Sequence, residues 1–251
     1  DLARFGDASR IVVADADKAR AQASAERVNR LIGKQMCRPI EFSASQASSV
    51  HQVLDGVDVA LSCVPYPLHA PIEHAALEIG VSCVDMGNDT DVTLETLKLD
   101  GKAIEKGVTI VPDTGLAPGL VNSIGAWFIQ EMDSVDSIKL YCGGLPQNPK
   151  PPFNYSLRFS IVGLVGEYVD VAIALREGEV VRLETLTELE ALEIPGLGKM
   201  EAFTTSSGTS TAPYTWKGRV RNYEYKTLRH PGHCDLMRMF QQTGFWQEEP
   251  V

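Results

Sequence analysis

The 251-residue sequence predicts an α/β fold, a Rossmann-type parallel sheet followed by a second α+β domain. Three observations carry that reading. Short apolar runs alternate with helical patterns through about the first 120 residues, which is the signature of βαβ units. One run, at residues 57–64, is stopped by Pro65 and Pro67 and followed by a helical pattern over 68–79. That strand, turn and helix would wall a crevice beyond the carboxyl ends of the strands, where ligands sit in open parallel sheets. Past a Gly- and Pro-rich stretch, GGLPQNPKPPFNY, the pattern changes to the alternation of half-exposed strands.

Size and composition bound the function. A hydrophobic fraction of 44% and a charged fraction of 22% are those of an ordinary globular protein with a real core. No apolar run approaches the roughly 20 residues that span a bilayer, so a membrane role is not expected. A formal charge of −10 argues against a nucleic-acid partner, which calls for a basic patch. The five cysteines are scattered without a C-x-x-C pair, which points away from zinc or any other metal and towards reduced thiols in a cytoplasmic protein.

In chain order, residues 11–14 read as a short buried strand ending at Asp15, and 17–32 as a helix capped by Asp17. A strand is expected at 38–42, a helix at 47–54, and a strand buried on both faces at 57–64. Residues 81–85 form the next strand, 92–106 a single helix ended by Gly107, and 108–111 a further strand running into PDTGLAPG. A helix follows over about 120–132, then a strand at 137–142. Beyond the loop, 156–160 and 180–186 alternate like strands, 164–175 has helical spacing, 184–193 reads as a solvated acidic face and 204–211 (TTSSGTST) as a polar loop. Residues 218–228 alternate as a strand, and a final helix covers about 234–242. The domains are placed at 1–133 and 134–251.

Asp15 stands where the acidic residue of a dinucleotide-binding unit accepts the adenosine ribose hydroxyls and repels a 2′-phosphate, which favours NAD as cofactor. Its alternative role is local, as a helix-capping residue. The glycine fingerprint G-x-G-x-x-G is nowhere in the sequence. It belongs on the first strand, the central member of the order 3-2-1-4-5-6, so the first strand is expected to be missing and the NAD-binding domain to be truncated at its start.

Four motifs carry a resemblance to the saccharopine dehydrogenase family, most closely its lysine 6-dehydrogenase branch: VPYPLH at 64–69, DTGLAPGLVN at 113–122, YCGGLPQNPKPPFNY at 141–155 and KTLRHPGH at 226–233. The resemblance implies a nicotinamide-dependent oxidoreductase whose second domain supplies substrate contacts and a homo-oligomer interface, as in a homodimer. It implies that Cys63, Val64, Pro65 and Tyr66 line the nicotinamide ribose side. The reaction implied is oxidation of the ε-amine of L-lysine by NAD, loss of ammonia and cyclisation to piperideine-6-carboxylate. The C-terminal segment with which family members return to the first domain is expected to lie beyond Val251.

The chemistry needs a proton acceptor for the amine and a cation for the amino acid's carboxylate. Arg229 and Arg158 are the candidate clamps, since a guanidinium pairs with a carboxylate in a planar fork. His233 and His69 are candidate proton acceptors. Asp113 would hold the ammonium or take the proton, with Tyr141 donating to it. Each has a plainer alternative: a solvated arginine, a helix-capping histidine, an Asx-turn at Asp113. Saccharopine is the alternative substrate, and a non-catalytic, self-associating protein that keeps the fold is the alternative of another class. The turn at Tyr66 and the segment around Arg229 are expected to face one another.

Overall fold

The computed structural model describes residues 1–87 and 89–246. The chain divides into two compact units, one of residues 1–64, 68–83 and 100–110, the other of 65–67, 84–99 and 111–251.

The first half of the chain runs through helix α1 (Leu2–Phe5), strand β1 (Ile11–Asp15), helix α2 (Lys18–Ile32), strand β2 (Cys37–Glu41), helix α3 (Ala47–Leu54), strand β3 (Val59–Ser62) and helix α4 (His69–Ile79). Strand β4 (Ser82–Asp85), helices α5 (Thr90–Leu97) and α6 (Asp100–Lys106) and strand β5 (Ile110–Val111) follow. Asp17 caps α2 as expected, its carboxylate accepting the N–H groups of Ala19 and Arg20. The strands form two sheets, β1-β2, which pair in parallel, and β3-β4-β5.

Two expectations fail here. Strand β3 is not buried on both faces: it ends its sheet, Ala60 packs into the α3–α4 core, and Val59 and Leu61 are 60% and 45% exposed. Nor is 92–106 one helix. Lys98 and Leu99 tighten the end of α5 by bonding back three residues to the carbonyls of Glu95 and Thr96, and α6 begins afresh at Asp100.

The rest of the chain is helix α7 (Leu120–Glu131), strand β6 (Ser137–Cys142), helix α8 (Ile161–Val169), strands β7 (Ala172–Arg176), β8 (Glu179–Leu183), β9 (Glu190–Ile194) and β10 (Gly198–Phe203), helix α9 (Ala212–Trp216), strand β11 (Asn222–Arg229) and helix α10 (His233–Gln242). Their sheet has the order β8-β7-β11-β10-β9, with β6 parallel to β11. Ile129 of α7 packs with Ile138, Leu140, Trp216 and Tyr223 on one side of it. Tyr168, Phe203, Cys234 and Met237 form a second core.

Strand β11 is buried from Tyr223 to Arg229, which its alternating charges do not announce. The charges are matched: Glu224 pairs with Arg176 at 2.5 Å and Lys139 at 3.5 Å, and Lys226 with Glu190 at 3.0 Å. Glu188 and Glu190 are thereby tied into the sheet, so 184–193 is not a free acidic face. Residues 156–160 are not a strand, because the Ser160 hydroxyl accepts the Gly163 N–H and caps α8. The helical spacing over 164–175 resolves into the end of α8 at Val169 and strand β7 from Ala172. Among the described residues no helix is long and apolar enough to cross a membrane.

Candidate active site

Strand β4 ends in Asp85, and Asp113 stands two residues beyond β5. The Asp113 N–H donates to Asp85 Oδ1 at 3.0 Å, so the two strand ends meet. Asp113 is 7% exposed and has φ 60°, a left-handed conformation that Asp tolerates better than most residues. Two hydroxyls converge on its Oδ2: Thr93 from α5 at 2.9 Å and Ser210 at 2.5 Å.

Ser210 comes from TTSSGTST, which is a loop but not a surface one. Thr204, Thr205, Ser206, Thr209 and Ser210 are all buried, and four of their hydroxyls find partners, as buried hydroxyls require: Thr205 with Thr227 at 2.7 Å, Ser206 with the Gly166 carbonyl at 3.0 Å, Thr209 with the Ile173 carbonyl at 2.7 Å and Ser210 with Asp113, while the Thr204 hydroxyl has none. Gly208 is obligatory, since a Cβ there would lie 2.0 Å from the Tyr225 ring. Its carbonyl accepts from Asn122 Nδ2, and Asn122 Oδ1 accepts the Tyr223 hydroxyl. These contacts fix the loop against the start of α7.

Between them lies a cleft of about 510 Å³, lined by residues 111–115, the first turns of α7, residues 209–212, Thr215 and Trp216. That volume suits a small molecule. The DTGLAPG segment shapes one wall, and Gly119, at φ 127°, turns the chain into α7 where a Cβ would strike Gly115. The first N–H groups of α7 are already used: those of Leu120 and Val121 donate to the carbonyls of Gly115 and Leu116.

Arg229 and His233 come together elsewhere in the same unit. Arg229 is 3% exposed; its Nη2 donates to Glu167 at 3.1 Å, its Nη1 to the Leu228 carbonyl at 3.0 Å, and its guanidinium lies 4.8 Å over the Tyr155 ring. Burial pushes the Glu167 carboxyl up, and Arg229 opposes that shift. His233 Nδ1 meets the Phe153 carbonyl at 3.0 Å and its Nε2 the Tyr168 hydroxyl at 3.0 Å. The ring therefore donates from Nδ1 and accepts at Nε2. Burial pushes its pKa down to about 4. Both side chains are thus internally satisfied, Arg229 as a clamp already closed on Glu167 and His233 as a neutral ring.

The remaining candidates are dispersed. Arg158 is exposed, and its charge acts on Tyr155. Tyr141 donates to Glu190 at 3.0 Å rather than to Asp113, and burial, with Glu190 second, pushes its hydroxyl up to about 12. His69 is buried, its Nδ1 2.7 Å from the Ser62 hydroxyl. Cys63 and Pro65 are exposed and Val64 half-buried in the turn after β3. Tyr66 sits against α8, where a Cβ on Gly166 would stand 3.9 Å from its hydroxyl. The Tyr66 turn and the Arg229 segment each lie beside α8, at Gly166 and at Glu167, and neither is among the residues that line the cleft. Asp15 closes β1 with its Oδ1 accepting the Asp17 N–H at 2.8 Å and Arg20 3.9 Å away. The glycine-rich pyrophosphate cradle of a dinucleotide site has no counterpart among the described residues.

A βα layer with parallel strand pairing and a second, largely antiparallel sheet define an α/β fold of the Rossmann-like class. Residues 1–111 match the saccharopine dehydrogenase NADP binding domain and residues 115–251 the saccharopine dehydrogenase C-terminal domain. The chain belongs to the saccharopine dehydrogenase family. It is 24% identical over 217 residues to the mitochondrial alpha-aminoadipic semialdehyde synthase of Rattus norvegicus, covering 81% of this chain and 23% of that protein. To the saccharopine dehydrogenase [NADP(+), L-glutamate-forming] of Pyricularia oryzae it is 23% identical over 230 residues, 86% of this chain and 50% of the relative. The saccharopine dehydrogenase (L-Glu forming) structure from Saccharomyces cerevisiae superposes with a TM-score of 0.72 at 19% identity, over 96% of this chain and 54% of that one. The chain thus spans between 23% and 54% of the length of these relatives.

Thr93, Ser210, Asp85 and Glu167 were not singled out from the sequence. A signal for Ser210 was there to read: from 204 to 216 the chain carries no charge and eight hydroxyl-bearing Ser and Thr residues, a composition suited to a buried, hydrogen-bonded loop.

Proposed function

We propose that this chain forms the core of an NAD-dependent oxidoreductase that oxidises the ε-amine of L-lysine, releasing ammonia and piperideine-6-carboxylate. The observation that carries the reading is Asp113, a buried carboxylate held by two hydroxyls on the wall of a cleft of about 510 Å³. An amine must lose a proton before its carbon can give up hydride, and a carboxylate at the amine is suited to hold the ammonium and accept that proton. The nicotinamide, when bound, supplies the hydride acceptor. Asp15 is assigned to the adenosine ribose and Cys63, Val64, Pro65 and Tyr66 to the nicotinamide side. Arg158 is assigned to the substrate carboxylate, and Arg229, His233 and Tyr141 to positioning, since their polar atoms are engaged within the protein.

A second reading, oxidation of saccharopine, draws on the names of the relatives. Mixing the protein with NAD and either substrate and following absorbance of the reduced cofactor separates the two; turnover with neither, and no cofactor binding, leaves only the non-catalytic alternative. A cytoplasmic homo-oligomer remains our reading of the assembly. It is supported by the apolar stripe of α7, where Leu120, Ile124 and Trp127 are 53%, 43% and 54% exposed. Sedimentation of a single monomeric species would refute it.

A further inference from the structure

Strand β3 ends at Ser62 and α4 begins at His69, with a single short helical turn, Tyr66–Leu68, in the segment between. Helix α4 starts without the usual support: its N-cap residue, Leu68, makes no side-chain hydrogen bond, and the first turn carries no acidic residue. The first helical residue reaches back instead. His69 Nδ1 lies 2.7 Å from Ser62 Oγ, with His69 1% and Ser62 5% exposed, so the bond ties the two ends of the turn together out of water. Cutting it would strand a buried polar atom, which is costly in a low-dielectric interior. Within the tied segment Pro65 and Pro67 each fix φ, and Cys63, Pro65 and Pro67 are exposed. A polar lock inside thus holds an outward-facing turn whose backbone has little freedom left.

Ser62, His69 and Glu73, the last one helical turn further along α4 and 0% exposed, are the side-chain types of an acyl-transfer triad. That chemistry needs a nucleophile open to substrate, and none of the three lines the cleft. The burial that closes off nucleophilic attack also keeps a substrate amine from the His69 ring, so this histidine does not serve as its proton acceptor. We propose that Ser62 and His69 are a positioning pair that locks the turn carrying Cys63 and Tyr66. The pair deepens the reading that this turn meets the nicotinamide, and rests on that reading for what occupies the turn. Neither side chain reaches the cofactor; both act through the backbone between them.

The test is alkylation of the full chain with iodoacetamide, the labelled cysteines being located by peptide mass. Cys63 is the exposed one of the five cysteines, Cys142 is half-buried, and Cys37, Cys83 and Cys234 are buried. Partial burial of the Cys63 thiol holds its pKa above the ordinary value, so a loosened turn speeds its labelling. Ser62→Ala labels at Cys63 about tenfold faster, the factor expected of one lost hydrogen bond, while the three buried cysteines keep their wild-type rates. His69→Leu does the same, and His69→Asn, which puts an amide where Nδ1 stands, restores the slow rate. Ser62→Ala carries the test alone if His69→Leu does not fold. An unchanged rate at Cys63, equal acceleration at the buried cysteines, or no rescue by Asn overturns the proposal. NAD slows the labelling of Cys63 in the wild type, and Ser62→Ala raises the half-effective NAD concentration about threefold or more, as a seat that has lost its preorganisation should. Equal half-effective concentrations in the two proteins would also overturn it. No effect of NAD on the wild type, alongside the expected rates, removes the nicotinamide from this turn and leaves the lock standing.

Discussion

Two groups of buried charge in the second unit, one at Asp113 and one at Arg229, are built from similar residues and have opposite characters. Around Arg229 the partners come from within: each guanidinium nitrogen donates, to Tyr168, the Leu228 carbonyl and Glu167, and the Tyr155 ring lies beside it. His233 completes the closure through Tyr168 and Phe153. Around Asp113 two hydroxyls fix the carboxylate, yet the residue stands on the wall of an open cleft whose lining carries no other charge. The difference teaches that chemical type alone does not select a group for chemistry; its place relative to a cleft matters as well. Arg229 and His233, chosen from sequence for their chemical type, are bonded to Glu167, Tyr168 and Phe153, whereas Asp113 lines the cleft.

That contrast can be broken by mutation. The largest effect is expected at Asp113, where Asn substitution should lower turnover by about 10²–10⁴-fold, the usual range for a lost acid or base, with urea unfolding close to wild type. Glu167→Gln should do the reverse. Leaving the buried Arg229 charge without its partner costs about 3 kcal/mol of stability, read as a lower urea midpoint, while KM for lysine changes little. Replacing both partners, Glu167→Leu with Arg229→Met, should recover most of that loss.

The closed group also predicts a pH dependence. His233 titrates in the folded protein at about 4, below its ordinary value of 6.5. Between those two values the unfolded chain binds the proton and the folded one does not, so stability falls as pH drops from about 6.5 to 4 and is flat above. The loss at pH 4 is up to roughly 3 kcal/mol from this group, checked by denaturant midpoints across that window. A smaller change is expected from Ser210→Ala, about tenfold or less in kcat/KM with restoration by Ser210→Thr, because Thr93 still holds the same oxygen. Rescue failure by Thr would show that the hydroxyl acts on something other than Asp113. Smallest of all, Asp15→Ala should loosen NAD and narrow the preference over NADP; an unchanged preference would show that this carboxylate does not read the ribose.

Much of the fold was legible because local pattern and tertiary role agreed. The β1–α2–β2 segment and the capping role of Asp17 followed from periodicity and cap chemistry. Legibility failed where tertiary pairing overrides local polarity. Strand β11 looks half-exposed because Glu224 and Lys226 are charged, but their partners Arg176 and Glu190 are distant in sequence. The loop TTSSGTST reads as surface because hydroxyls are polar, and its burial depends on carbonyl and carboxylate acceptors contributed by remote segments. At the site, Asp113 could be picked from its position after a strand, whereas Thr93 and Ser210 are joined to it across 20 and 97 residues of chain. The tie between Arg229 and Glu167 spans 62 residues, so nothing local marks that arginine as already spoken for.

The account stands on Asp113 being the group that meets the substrate amine. Following reduced nicotinamide on addition of L-lysine, for wild type and for folded Asp113→Asn side by side, addresses it directly. Lysine-dependent reduction in the wild type that falls at least about a hundredfold in the variant is the expected result. A variant that turns over lysine as well as the wild type would contradict it.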